Sequence, residues 1–165
     1  MALKKGVLIT TVILVAITVA SFFVWLIPQR QDTTFVVSDF KSHLDRIKEI
    51  HTTIVDGAGQ EFQKLLNGDV TPNQYIEGAE ISSSQINSQI IELVESSAPQ
   101  EWQESYINYI DALKSTNSYI RETIVVANMI KDGSAKQDID EAIKRIEQLK
   151  EESKSLVAAS DSSRP

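Results

Sequence analysis

Apolar residues recur after residue 33 at the spacing of amphipathic helices. Between 37 and 65 an apolar or aromatic side chain stands at almost every third or fourth position, which places these residues on one stripe of a helix. Three breaks interrupt the pattern further along the chain, at Asn67-Gly68, Pro99 and Asp132-Gly133. The pattern therefore predicts four helical segments, the third of which, from 102 to 130, has the clearest apolar stripe.

The ends of these segments contain helix-capping signals. Thr71 and Gln74 have the spacing of a capping box, and Pro72 stands at the first helical position. Ser134 is the candidate N-cap of the fourth segment, where the i, i+4 spacing of Glu141 and Arg145 predicts an ion pair on the outer face. Because short connections join helices of similar length, the soluble part is predicted to be an antiparallel up-down four-helix bundle.

The N-terminal segment differs from the rest, because no charged residue interrupts it from Gly6 to Ile27. Its 22 residues would span about 33 Å as a helix, the thickness of a bilayer's hydrocarbon core. Trp25 lies near its end, where aromatic rings favour the membrane interface, and Pro28 then stops the helix. We therefore expect an all-α protein with one N-terminal transmembrane helix before the bundle.

The charges that flank the apolar segment predict its orientation. Lys4 and Lys5 precede it, whereas Arg30, offset by Asp32, follows it. The positive-inside rule then places the N-terminus in the cytoplasm and the bundle outside it, so the protein is expected in the cell membrane as a single-pass protein. The expected segments are 1–5 as the cytoplasmic N-terminus, 6–27 as the membrane helix, 28–32 as a juxtamembrane linker, 33–159 as the bundle and 160–165 as a polar tail.

The N-terminus also resembles an archaeal pilin-type signal. Lys-Lys-Gly at 4–6 precedes an apolar run, and in pilins a peptidase cuts after the glycine, here Gly6. This resemblance implies a filament subunit, although Thr11 stands where pilins have a glutamate. A cleaved secretory signal is a weaker alternative, because cutting after Ala20 would leave the apolar residues 21–27 at the new N-terminus.

A second resemblance concerns the chain taken whole and rests on features of its N-terminal region. The Lys-Lys-Gly motif, the threonine-containing apolar helix and the closing run from Trp25 to Gln29 resemble those of small single-span membrane proteins of unknown function from ammonia-oxidising archaea. This resemblance implies a membrane location and supplies no activity.

The charge and the composition exclude several functions. The whole chain has a formal charge of −7, and Lys4 and Lys5, before the apolar segment, contribute +2 to it. The part of the chain after that segment therefore has a charge of −9, which disfavours binding to nucleic acid. The absence of cysteine excludes disulfides and thiolate chemistry. No basic residue lies between Lys64 and Lys114, although this stretch contains many carboxylates. These carboxylates either attract cations or a basic partner, or pair with basic residues of the other helices.

Candidate chemistry is sparse. His43 and His51 lie eight residues apart on one helix, too far to share a metal ion, and His51 falls on the core stripe. A structural His51 is therefore expected, with pH sensing as the alternative. Carboxylate pairs at i, i+3 could bind a hard cation or simply face solvent. The weak metal candidates are Glu77, Glu80, Glu92, Glu95, Glu101 and Glu104.

The aromatic residues of the third segment allow two interpretations. Trp102, Tyr106, Tyr109 and Tyr119 could line a ligand pocket, although aromatics at this spacing more often belong to a core. No catalytic or cofactor-binding set is present, so we expect a non-enzymatic, extracytoplasmic module that binds a ligand or protein partner or acts as an envelope scaffold. It would contact the lipid bilayer and could form homo-oligomers. The alternatives are a pilin-like subunit processed after Gly6, or a cation-binding acidic module or metal enzyme.

Overall fold

A computed structural model describes residues 37–165, and in this range the chain forms four α-helices and no strand. The helices are α1 (Phe40–Asn67), α2 (Pro72–Glu95), α3 (Gln100–Lys131) and α4 (Lys136–Ser162). The predicted all-α class is confirmed for this part of the chain. Within it, none of the helices combines the length and the apolar character needed to cross a bilayer. The predicted membrane helix, 6–27, and its flanking segments up to residue 32 lie outside the described residues.

The helix ends follow the capping signals of the sequence with one exception. Gly68 ends α1 with φ of 79°, a left-handed conformation that glycine adopts without strain. The predicted capping box forms at Thr71, whose hydroxyl accepts a hydrogen bond from the backbone of Gln74. The predicted cap at Ser134 is wrong, because α4 begins one residue later, with Ala135 at the N-cap and no side-chain cap.

Successive helices run antiparallel. In each pair the contacting residue numbers rise along one helix as they fall along the other. These contacts join His43 with Glu92 and Phe62 with Tyr75 for α1 and α2, Tyr75 with Thr123 and Ser83 with Asn117 for α2 and α3, and Ser105 with Ser160 and Thr116 with Ser153 for α3 and α4.

Helix α3 lies at the centre of the four helices, because it contacts each of the other three. Its buried residues therefore spread beyond the single predicted stripe and include Ser105, Ala112 and Ser115. These small residues let α4 approach closely: Ser105 donates to the carbonyl of Ser160, and Ser115 donates to that of Leu149. The single stripe of the sequence prediction underestimated how much of α3 is covered.

Helices α1 and α4 stand apart. No Cα of α1 lies within 8 Å of a Cα of α4 among the described residues. Side chains join the two helices near the end of the chain, where Lys48 binds Asp161 at 2.6 Å and Arg164 binds Asp45 at 2.6 Å. Helix α4 runs to Ser162, so it includes the first part of the segment that the sequence assigned to a polar tail. The space between α1 and α4 is the candidate site.

Candidate functional site

A cavity of about 270 Å³ opens between α1 and α4, and one side of α3 forms its floor. Larger hollows lie elsewhere: one of about 490 Å³ lies between α1 and α2, and one of about 870 Å³ between α2 and α3 has no buried residue in its lining. The α1–α4 cavity differs from both, because it reaches buried side chains of three helices. It is lined by Lys48, His51, Thr52, Val55, Tyr109, Thr116, Tyr119, Lys150, Ser153, Lys154 and Val157.

Hydrogen bonds link the polar residues of the floor. His51 contacts the Tyr109 hydroxyl through Nδ1 and the Thr116 hydroxyl through Nε2, each at 2.8 Å. Thr116 Oγ1 lies 2.8 Å from Ser153 Oγ, and Ser153 donates to the carbonyl of Ala112 at 3.1 Å. This series of hydrogen bonds, which we call the floor network, joins α1, α3 and α4.

The backbone carbonyl sets the direction of every bond in the floor network. A carbonyl can only accept a hydrogen bond, so Ser153 donates its single hydroxyl hydrogen to the backbone carbonyl of Ala112. Thr116 must then donate to Ser153 and accept from the Nε2–H of His51. The Nδ1 atom of a neutral His51 accepts from Tyr109. All the hydrogen-bond donors of the floor network are therefore used within it.

Burial keeps the floor uncharged. Desolvation lowers the pKa of His51 from 6.5 to about 4, because the imidazolium form would lose its hydration. The same effect raises the pKa of Tyr109 well above its ordinary value and that of Tyr119 to about 12. At neutral pH the imidazole and both phenols are therefore neutral, and the deepest part of the cavity presents no charge.

Three lysines stand around the cavity mouth, which we call the lysine rim. Lys48 binds Asp161 at 2.6 Å, and Lys154 binds Glu151 at 2.6 Å. Lys150 lies 3.2 Å from Glu147, and its ammonium is 5.9 Å from the centre of the Tyr119 ring. No aspartate or glutamate belongs to the lining formed by the described residues.

A second buried cluster surrounds His43. Its Nδ1 lies 2.9 Å from the Tyr106 hydroxyl, which donates to the carbonyl of Phe40. Its Nε2 lies 3.0 Å from Glu92, which also binds Arg46. These contacts join α1, α2 and α3, and burial raises the pKa of Tyr106 to about 12. Glu92, a predicted metal candidate, therefore contributes to packing between helices.

The other predicted metal candidates are not brought together. Among residues 37–165, no group of three or more histidine, aspartate or glutamate side chains is placed to hold a metal ion. The described residues also provide no ion-pair partner for these five carboxylates, so the alternative in which they pair with basic residues of the other helices does not hold for them. They are Glu77, Glu80, Glu95, Glu101 and Glu104.

The predicted aromatic residues serve both the core and the cavity. Tyr109 and Tyr119 are buried and also line the cavity, whereas the half-buried Trp102 packs edge-on against Tyr106. Sequence reasoning missed Ser153 and the lysine rim. Ser153 stands seven residues after Ile146 on the apolar stripe of α4, so a hydroxyl at a core position was the available signal. No family model, curated protein or solved structure matches the chain.

Proposed function

We propose that this protein is a membrane-anchored, non-enzymatic module that binds a small ligand between α1 and α4 of an antiparallel up-down four-helix bundle. The observation behind the proposal is the α1–α4 cavity, whose floor is buried, uncharged and internally hydrogen-bonded. The floor network offers a ligand shape and apolar contact, because its own donors are already used. Small-molecule sites typically combine apolar walls with a few fixed polar groups.

The hydrogen-bond directions favour binding over catalysis. A nucleophilic hydroxyl would have to donate its hydrogen to a general base. Thr116 instead donates to the hydroxyl of Ser153, and Ser153 donates to the backbone carbonyl of Ala112. Tyr109 alone donates to His51, and burial raises its pKa. The floor network therefore activates no nucleophile.

The membrane anchor rests on the sequence. The uncharged run from Gly6 to Ile27 is long enough for one span, and Lys4 and Lys5 support a cytoplasmic N-terminus. The bundle is then extracytoplasmic. Extraction of native membranes with alkaline carbonate tests the anchor, and release of the full-length protein would contradict it. An intact mass lacking the first six residues would instead favour the pilin-like alternative.

The absence of cysteine makes a clean binding test available, because a single introduced thiol is the only one in the chain. Val157→Cys places that thiol in the cavity lining, and Ile107→Cys places it on an exposed part of α3, at a residue that is 57% exposed. The full chain in lipid nanodiscs is treated with methyl methanethiosulfonate, with and without ligand-sized probes. The probes are phenylacetate, 2-phenylethanol and 2-phenylethylamine, which share one skeleton and differ in charge.

We expect at least one probe to slow modification of Val157→Cys in a saturable manner and to leave Ile107→Cys unaffected. The exposed control corrects for effects of the probes on the lipid or on the reagent. If no probe protects the cavity thiol at millimolar concentration, the ligand-binding proposal is wrong.

One observation favours a second function. Five carboxylates on α2 and the start of α3 have no ion-pair partner among the described residues, so they could attract cations or a basic protein. Calorimetric titration of the full chain with Ca²⁺, Mg²⁺ and Mn²⁺ tests the cation-binding alternative. Absence of heat at millimolar metal would remove its support.

A further inference from the structure

We infer that the α1–α4 cavity takes a small organic carboxylate, whose apolar body fills the cavity while its charged group stays at the lysine rim. This inference rests on the proposed ligand-binding function and adds the chemical class and the orientation of the ligand.

The first argument is the sign of the charges that line the cavity. Three lysines line the cavity, and the other ionisable lining residues, His51 and the two tyrosines, are neutral. The cavity is therefore lined by positive charge alone, although the chain as a whole has a formal charge of −7. Their carboxylate partners do not line the cavity, and two of them, Glu147 and Glu151, bind their lysines on the outer surface of α4. Such exposed pairs contribute little to stability, so a ligand carboxylate can replace them as the partner of Lys150 and Lys154.

The second argument is the lack of free donors in the floor network. His51, Thr116 and Ser153 each use their hydrogen within this network, so none is left for a ligand. A carboxylate placed against these groups would be desolvated without gaining a hydrogen bond, and their oxygen lone pairs would repel it. The charged group of the ligand is therefore excluded from the floor network and directed to the lysine rim.

The third argument is the apolar character of the walls. Val55 and Val157 face the cavity from α1 and α4, and the rings of Tyr109 and Tyr119 complete the surface from α3. Lys150 lies over the Tyr119 ring, which keeps an ammonium near the boundary between the apolar walls and the solvent. Walls of this kind match an aromatic ring or a short branched chain next to a single anionic group.

The lining also favours a carboxylate over a phosphate group. Phosphate sites commonly use the arginine fork or the free backbone N–H groups at a helix N-terminus. No arginine is among the described lining residues, and all of these residues lie inside helices, where the backbone N–H groups are already bonded. The lysine rim offers point charges only, which suit a monoanion.

The single-cysteine assay tests the inference through the ranking of its three probes. In full-length Val157→Cys, phenylacetate should protect at a concentration about fivefold lower than 2-phenylethanol, the ratio expected for one ammonium–carboxylate contact near water. The amine 2-phenylethylamine should protect least, because its charge repels the lysine rim. Val55→Cys, on the opposite wall, provides a second position at which the same ranking must appear.

Lysine variants in the same background test the role of the rim. Replacing both rim residues of α4, Lys150→Gln and Lys154→Gln, should remove the advantage of phenylacetate. Lys114→Gln is the matched control, because Lys114 is also exposed and pairs with a carboxylate three residues earlier, Asp111, but lies outside the cavity. The control should keep the fivefold advantage.

The possible outcomes separate the inference from the function on which it rests. Stronger protection by the alcohol or the amine overturns the ligand class while ligand binding stands. An advantage of phenylacetate that survives loss of Lys150 and Lys154 overturns the placement of the charged group at these two lysines. Protection by none of the three probes overturns the ligand class and the proposed function together.

Discussion

The buried, neutral His51 makes the stability of the bundle depend on pH in a predictable direction. In the unfolded chain this imidazole takes up a proton near its ordinary pKa of 6.5, whereas burial lowers the folded-state pKa to about 4. Between these values the unfolded state binds more protons, so stability must fall as the pH falls. Above pH 6.5 both states are neutral at His51, and below pH 4 both are protonated, so the effect is confined to this window.

The size of the effect follows from the shift. One pKa unit corresponds to about 1.4 kcal/mol, so the contribution of His51 to the free energy of unfolding should decrease by about 3 kcal/mol between pH 6.5 and pH 4. Small domains are stable by only about 5–15 kcal/mol, so a loss of this size is easily measured. The slope should be steepest near pH 5.

Urea unfolding of the full-length protein, followed by far-UV circular dichroism from pH 7 to pH 4, measures this slope. His51→Gln is the informative variant, because an amide retains a donor and an acceptor for the floor network but does not titrate. The pH slope should be shallower in His51→Gln than in the wild type, since His51 bonds only to the hydroxyls of Tyr109 and Thr116 and the carboxylates therefore titrate alike in both proteins. Equal slopes in the wild type and His51→Gln would refute the reasoning.

Three further predictions concern stability, each measured as the free energy of unfolding in urea at pH 7. Thr116→Val should destabilise by about 1–3 kcal/mol, because it leaves the Nε2–H of His51 buried without an acceptor, whereas Thr53→Val, at an exposed hydroxyl, should change little. Gly57→Ala should stabilise by about 0.5–1 kcal/mol, because Gly57 is exposed inside α1 and no atom lies within 4 Å of an added Cβ. Gly68→Ala should destabilise by about 1 kcal/mol, because its φ of 79° strains any residue with a Cβ. A stabilised Thr116→Val, a destabilised Gly57→Ala or a neutral Gly68→Ala would contradict the corresponding argument.

Helix α1 could be predicted closely because it is covered on one side only. Its buried residues, including Leu44, Ile54 and Phe62, follow the predicted stripe, while the opposite face meets solvent. A helix with one wet face must alternate apolar and polar residues at the helical period, and that period is visible in the sequence. The turn at Gly68 and the capping box at Thr71 were equally readable, because both depend on local chemistry alone.

The central position of α3 could not be read from the same signal. Neighbours on several sides bury Ser105, Ala112 and Thr123, and residues this small add little to a hydrophobic stripe. Which helix takes the centre depends on how all four pack together. The expected Glu141–Arg145 pair failed for the same reason, because Arg145 reaches across to Glu122 on α3, at 2.7 Å.

Apart from Tyr109 and Tyr119, which the sequence offered as candidate pocket residues, the lining of the cavity was missed because its components look ordinary one at a time. His51, Tyr109 and Thr116 stood on predicted core stripes, and the lysines looked like solvated surface residues. Whether these residues surround one cavity depends on the distance between α1 and α4. No local sequence pattern encodes that distance. The floor network requires three helices to place donors and acceptors within 3.1 Å of one another, and only the folded chain reveals that arrangement.

The floor network also separates the requirements of stability from those of binding. Removing one member leaves a buried partner unsatisfied, but replacing all members by apolar groups of similar shape leaves none. The combined variant Tyr109→Phe, His51→Leu, Thr116→Val and Ser153→Ala should therefore lose less stability than the four single changes added together.

If the network serves binding, the combined variant should fold and yet alter protection of the cavity thiol, because its floor no longer presents the oxygen lone pairs that exclude the charged group of the ligand. The experiment compares urea unfolding and thiol protection in the combined variant and in each single variant. A combined loss of stability equal to the sum of the four would show that the residues act independently, contrary to the hydrogen-bond directions derived from the Ala112 carbonyl. Unchanged protection in a folded combined variant would show that the polar floor contributes to packing alone.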